Sequence, residues 1–456
     1  MRLGSPLPSR ESRIERGKTL RTKIPRADHA AWKPGAKRPD PVRLLKQSSE
    51  GRVPELIPIR YGRMLVSPFT FYRGAALHMA ADLASMPATG LRVQACGDCH
   101  LMNFGAFATP ERRVIFDIND LDETLPAPWE WDLKRLTVSF VLAARDNGLS
   151  TGQARDMAVE CAQSYREKMA EFADLRALEV WYASIDIDTL ATKVSDRKTQ
   201  KRLQDRMKEG LARRVAEHDF PKLVSTEGGT PVIRDNPPLI YHMREHMREG
   251  YAETLRQAFT SYRESLPEHR RVLLDRYRIQ DIALKVVGVG SVGRACGILL
   301  LMADESDPLF LQVKEAAASV LEPYAGASRH QNHGQRVVYG CHLMQSASDL
   351  FLGWTEGQRG RHFYIRQLRD VKIGAMVETF GPQTLREYAD VCGWALARAH
   401  ARSGDPCGIA GYLGKGDVFD QAVADFSMTY ADQVERDYQV LTKAVRAGKL
   451  PVERGA

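Results

Sequence analysis

Asp98, Asn103 and Asp117 form a spaced set of oxygen donors in "CGDCHLMNFGAF" and "VIFDIND". Asn103 follows Asp98 by five residues, and Asp117 follows Asn103 by fourteen. A phosphotransferase of the kinase type needs a carboxylate beside the acceptor hydroxyl. It also needs two oxygen ligands that hold Mg²⁺ on the ATP phosphates. The D-x-x-x-x-N spacing puts the base and the first ligand on one loop, and a short hairpin returns the second ligand to the same point. "MNFGAFATPERRVIFDIND" supplies such a hairpin: a strand, a Thr-Pro-Glu-Arg turn, and a second strand over Arg113–Phe116.

A second set lies in "KVVGVGSVGRACGILLLMA" and "PLFLQVKEA". Gly288, Gly290 and Gly293, with Ser291 between them, make the G-x-G-x-x-G pattern that a kinase Gly-rich loop and a Rossmann loop share. A Rossmann-type dinucleotide-dependent oxidoreductase requires a helix after Gly293, with Asp304 or Glu305 on the ribose. Gly297 and the Ile-Leu-Leu-Leu run suit a strand instead. Lys314 then falls on a second strand, from which its ammonium can contact ATP phosphates as a point charge. Glu315 and Glu322 are its nearest carboxylate partners in sequence.

Other motifs offer weaker chemistry. Cys96-Gly97-Asp98-Cys99-His100 matches C-x-x-C-H, the signature of c-type haem attachment. Haem is not expected, because it needs an exported chain and gives no role to Asn103; Cys96 and Cys99 read as small packing residues. Asp120, Asp122 and Thr124 fit the D-x-D-x-T of aspartate-nucleophile phosphatases, but Asn119 stands where an apolar strand residue is needed. His242 and His246 lie one helical turn apart without an evident third metal ligand, so a surface helix is the plainer reading.

Positioning these sets takes a sizeable scaffold. The chain has 456 residues, 43% hydrophobic and 27% charged, enough for two or more lobes. No run of about 18 apolar residues appears, so no membrane span is expected. Seven cysteines, an odd number, and no export signal point to reduced thiols and a cytoplasmic location. Net charge is +8, and residues 1–46 alone sum to +9 (thirteen Lys/Arg, four Asp/Glu). Residues 1–50 therefore read as a basic, extended, proline-rich arm that could meet an anionic partner. Residues 51–145 carry the catalytic-loop part of a large lobe, 146–275 its helical part, and 276–375 a β lobe with the Gly-rich loop. Residues 376–456 give helices that pack back on the large lobe. "FTFYRGAALHMAADLASM" (69–86) reads as one helix.

"RYGRMLVSPFTFYRGAA", "CGDCHLMNFGAF", "FDINDLDETLPAPWEWDLKRL", "KVVGVGSVG", "LQVKEA", "YIRQLRD" and "ARAHARSGD" resemble the bacterial family filed as domain of unknown function 2252. More distantly, the chain is similar to aminoglycoside phosphotransferases and other protein-kinase-like enzymes, whose catalytic loop reads H-G-D-x-H-x-x-N. That likeness implies an α+β, two-lobe kinase-like fold in circularly permuted order, with the catalytic loop ahead of the Gly-rich β lobe. It further implies Asp98 as the base with His100 in the same loop, Asn103 and Asp117 as Mg²⁺ ligands, and Asp132 bracing the loop. Cys96 stands where those enzymes have His. The function expected is transfer of a phosphoryl or nucleotidyl group from ATP with Mg²⁺ to an unknown small-molecule or protein acceptor. A catalytically silent nucleotide- or partner-binding protein and the Rossmann oxidoreductase are the alternatives.

Overall fold

The structure is a computed structural model that describes residues 8–212, 220–227, 230–237, 239–242, 251–285, 292–368 and 371–453. Its helical core gathers around Trp129–Asp146, Thr151–Asp174, Pro382–Ser403 and Val418–Arg446. Every residue from Trp129 to Ala144 is buried, including Glu130, Asp132, Lys134 and Arg135. A helix buried on all faces must find internal partners for such charges. Asp132 and Arg135 find theirs in the loop 96–98, which is how this helix comes to organise the site.

Lys134 does less well. Its ammonium lies 4.6 Å from the Phe426 ring centre, and Met86 Sδ at 3.5 Å is its hydrogen-bond acceptor. Burial pushes its pKa down to about 7, with Glu130 opposing. Between pH 8 and 10 the unfolded chain holds a proton here that the folded chain has released. Stability should therefore rise with pH in that window, by at most about 1.4 kcal/mol per pH unit. Lys134→Met should flatten that slope, as read from urea midpoints at pH 8 and 10.

Two small sheets stand on this core. β1 (Arg92–Ala95) pairs antiparallel with β4 (Leu125–Pro128). β2 (Phe104–Ala108) and β3 (Val114–Ile118) form the expected hairpin, flanked by β5 (Ile185–Asp186) on one side. β6 (Val224–Glu227) and β7 (Thr230–Ile233) make a separate hairpin. The largest sheet follows: β8 (Ile240–Tyr241), β9 (Arg278–Lys285), β10 (Cys296–Met302), β11 (Pro308–Ala316), β12 (Gly353–Glu356) and β13 (His362–Gln367). Its order is β12-β13-β11-β10-β9-β8, with every pair antiparallel. β14 (Lys372–Gly374) then returns to β2 and ties this half to the β2–β3 hairpin.

Residues of period 2 sort the large sheet into two faces. Leu299, Leu301, Leu309, Leu311 and Ile365 pack under Tyr262 of the helix Tyr251–Ser265 and Leu266 just after it. On the other face Ile298, Leu300 and Phe310 pack with Ile233 of β7, while Gln312 and Lys314 continue that face toward β2–β3.

One expectation holds, one alternative drops out with it, and two expectations need correction. Residues 296–302 are a strand, not the helix a Rossmann unit requires after Gly293, and the pairings of this sheet are antiparallel; the dinucleotide reading falls. The N-terminal arm is not extended. Arg10–Lys23 is a helix, N-capped by Ser9, that packs on Pro406–Leu413. Gly17 permits the approach, since a Cβ there would lie within 2.1 Å of Gly408 O. Its cations are used inside the chain: Arg13 and Arg16 bond Asp405, while Arg21 and Arg26 reach the carbonyls of Gly411, Tyr412 and Leu413 at a helix C-terminus. Residues 69–86 hold two helices, Pro68–Arg73 and Ala76–Leu83, broken at Gly74, where a Cβ would meet Met64 Sδ at 2.7 Å. Among the described residues no helix is long and apolar enough to cross a membrane.

Candidate active site

The loop after β1 is held by its backbone. Asp132 accepts from the N–H of Cys96 at 2.5 Å and of Gly97 at 3.0 Å, and His400 meets the same carboxylate at 3.2 Å. Ser139 Oγ accepts from Leu101 N at 3.0 Å. These anchors come from inward-facing positions of buried helices, so the loop has a rigid floor. Gly97 has φ +84°, and a Cβ there would sit 2.4 Å from Glu123 O. Gly97→Ala should cost about 2–3 kcal/mol in urea unfolding, from the left-handed strain and the clash together.

Asp98 leaves this loop toward Arg135, whose Nε and Nη2 both donate to Asp98 Oδ1, at 2.8 and 2.5 Å. His100 is buried, its Nδ1 has no partner, and burial pushes its pKa down to about 3, so the ring is neutral. Asn103 donates to Asp98 O at 2.7 Å, and its own carbonyl accepts from Asn119 N at 2.7 Å. Cys96 and Cys99 are fully buried, and burial raises the Cys99 thiol to about 12.

Asp117 makes its hydrogen bonds outside this group. It is wholly buried in β3, where Arg398 Nη2 donates at 2.6 Å, and Ser346 donates from both N and Oγ at 2.8 Å. With the neighbouring Ile118 N–H at 2.8 Å, its oxygens are fully engaged in protein contacts. The residue expected as second metal ligand therefore sits here in a buried ion pair with Arg398.

The segment 119–124 follows β3 directly. It runs as a strap between the loop 96–98 and the large sheet. Arg336 pins it from behind, donating to Thr124 O at 2.6 Å and Asp122 O at 2.8 Å. Thr124 Oγ1 donates to Ala95 O at 2.6 Å, and Ser319 Oγ to Glu123 O at 2.6 Å. With the backbone fixed, Asp120 and Asp122 turn toward β11 and β13. Lys314 Nζ lies 2.7 Å from Asp122 Oδ2 and 3.8 Å from Asp120 Oδ1. Tyr364 OH donates to Asp122 Oδ1 at 2.5 Å. Burial alone would raise the Asp122 carboxyl, but Lys314 and Tyr364 hold it well below the usual range. Burial and the Asp122 charge raise Asp120. The two carboxylates hold Lys314 charged against the cost of its burial.

Asp120, Lys314 and Tyr364 edge a cavity of about 1010 Å³. Its polar wall includes Asn119, Asp120, Gln312, Lys314, Tyr364, Arg366 and Lys372, and its apolar wall includes Phe107, Leu368 and Val371. Cations beside paired carboxylates, next to an apolar slot, suit a polyphosphate with a hard divalent cation and a planar base.

Lys314 therefore finds its partner in the strap and not in its own strand. Glu315 pairs with Arg361 at 2.5 Å and accepts from Ala295 N, while Glu322 lies 3.9 Å from His333. Gly288, Gly290 and Ser291 lie outside the described residues. Gly293 has φ +87°, and its carbonyl accepts from Val53 N at 2.7 Å. His242 bonds Asp235 and Asp281 with its two nitrogens, and His246 lies outside the described residues. Among the described residues no group of three or more His, Cys, Asp or Glu is placed to hold a metal on its own.

The family described as "uncharacterized protein conserved in bacteria (DUF2252)" matches residues 52–444. The chain belongs to DUF2252. Neither the curated proteins nor the solved structures give a match. The span shared with DUF2252 takes in the loop 96–103, the strap, Lys314 and Arg398, and leaves out the helix Arg10–Lys23. Within this DUF2252 chain, Asp120 and Asp122 are legible in sequence only as the D-x-D of "NDLDET", and Arg336, Tyr364 and Arg366 carry no local motif.

Proposed function

We propose that this chain is a Mg²⁺- and ATP-dependent, kinase-like phosphotransferase whose catalytic loop precedes its β lobe. The observation that carries the proposal is the meeting of Lys314 with Asp122 and Asp120 at the wall of the 1010 Å³ cavity. The grip of Asp132 on two backbone N–H groups of the loop supports it.

In this reading Lys314 binds the phosphates, with Arg366 and Lys372 nearby. Asp120 and Asp122 hold the metal in place of Asp117, with Asn103 at their edge. Two carboxylates fit Mg²⁺, which usually keeps several waters and takes its other ligands from phosphate. The metal, when bound, supplies charge that offsets the transferring phosphoryl group. Asp98, steadied by Arg135, orients the acceptor hydroxyl and takes its proton through the oxygen that Arg135 leaves open.

Calorimetric titration with ATP, with and without Mg²⁺, tests this. Binding should require Mg²⁺, and Asp120→Asn and Asp122→Asn should each weaken it about tenfold or more. ATP binding indifferent to the metal removes the carboxylate assignment, and no binding removes the whole reading. One feature favours the silent nucleotide-binding alternative: Arg135 donates twice to the proposed base. γ-Labelled ATP separates the two, since a silent protein binds it but releases no label.

A further inference from the structure

We infer that the acceptor taken beside Asp98 is anionic, a hydroxyl compound bearing a carboxylate or phosphate group, and that Arg73 and Arg294 hold that group. The word acceptor rests on the phosphotransferase reading; the anion does not.

The geometry starts from Arg135. Its Nη2 donates to Asp98 Oδ1 and also to Tyr72 O at 3.0 Å, which fixes the end of the helix Pro68–Arg73 against the loop. Arg73 is the next residue. Its guanidinium makes no hydrogen bond or ion pair among the described residues, and its Nε is buried without an acceptor. The stem is thus sunk in the protein while the terminal nitrogens remain open. Burial pushes this guanidinium's pKa down, and Asp98 is the charge that offsets it. Asp98 is already committed to Arg135, and Glu123, the next carboxylate, is bonded by Val320 N at 2.8 Å and faces Arg336. A further negative group is what the arrangement lacks. Neutral His100 supplies none.

Arg294 is a second cation near the strap, acting on its residue Glu123. It follows Gly293, and its Nη1 would lie 3.7 Å from a Cβ on Gly51. It too makes no hydrogen bond or ion pair among the described residues, and its field reaches Glu123, whose carbonyl packs on Gly97. Behind it Arg52 and Arg60 bond to carbonyls and hydroxyls, not to carboxylates. Cations so placed meet a polycationic acceptor as like charges and an anion as complements. A guanidinium fork also matches the paired oxygens of carboxylate and phosphate.

Calorimetric titration of the full chain without nucleotide tests this, using glycerol 3-phosphate, glycerate and spermine as probes. At least one anion should bind and spermine should not; which anion binds tells phosphate from carboxylate. Arg73→Gln and Arg294→Gln should each weaken binding about tenfold, and Arg73→Lys should restore part of it. Mg²⁺·ATP affinity should be unchanged in Arg73→Gln. Binding of neither anion, anion affinity unaffected by both glutamine variants, or binding of spermine would overturn the inference. Anion binding that persists in a chain showing no affinity for Mg²⁺·ATP would sink the phosphotransferase reading alone.

Discussion

Lys314→Met should raise the Kd for Mg²⁺·ATP by about 100-fold or more, because a desolvated ammonium on phosphate oxygens is a charge-assisted contact. The same substitution should also destabilise the chain. It removes the cation that Asp120 and Asp122 face, leaving two carboxylates close together beside a cavity wall. Both are partly open to solvent, so the expected loss is about 1–3 kcal/mol, less than for a fully buried pair. The two effects are separable. Adding Asp122→Asn to Lys314→Met should recover much of the stability, since one repelling charge is gone. Nucleotide affinity should fall further, since a metal ligand is gone with it. A double variant that recovers binding together with stability would mean that Lys314 acts only as structural support. Urea midpoints and calorimetry on wild type, Lys314→Met, Asp122→Asn and the double variant give the comparison.

Arg398→Ala should be the most destabilising single change near the site, by about 3–5 kcal/mol. Arg398 and Asp117 are both essentially inaccessible, with 1% and 0% side-chain exposure, and they lie 2.6 Å apart. Truncating Arg398 leaves the buried Asp117 charge without its bonded cation. The pair also decides between two roles for Asp117. Asp117→Asn should lower stability strongly, because Arg398 then keeps only the neutral Met344 O and an amide. In the protein that remains folded, the Mg²⁺ dependence of ATP binding should be unchanged. A metal ligand would give the opposite pattern, with stability held and metal dependence lost.

The difference between Asp117 and Asp120 shows where the sequence runs out. The loop, the hairpin after it and the strand carrying Lys314 all follow from local pattern: turn residues, period-2 runs and a glycine where a strand meets a loop. The direction in which Asp117 points does not. All five residues of β3 are buried, so there is no in–out alternation to read. Its partner, Arg398, is 281 positions away on a helix with no signature of its own. The partner of Lys314 lies 192 residues earlier, which is why Glu315 and Glu322 looked nearest. The N-terminal helix was hidden for a similar reason. The prolines around it and its own basic residues read as an extended arm, whereas the acceptors for that charge are the carbonyls near residue 412 and Asp405, at the other end of the chain.

The central claim is that Asp120, Asp122 and Lys314 together hold a metal-bound nucleotide. Diffraction from crystals grown with ATP and Mn²⁺ in place of Mg²⁺ tests it most directly, because Mn²⁺ gives an anomalous signal. The account predicts an anomalous peak about 2.1–2.2 Å from carboxylate oxygens of Asp120 and Asp122, with phosphate density reaching Lys314 Nζ. An ordered nucleotide outside the 1010 Å³ cavity, or a metal held by neither aspartate, would contradict it.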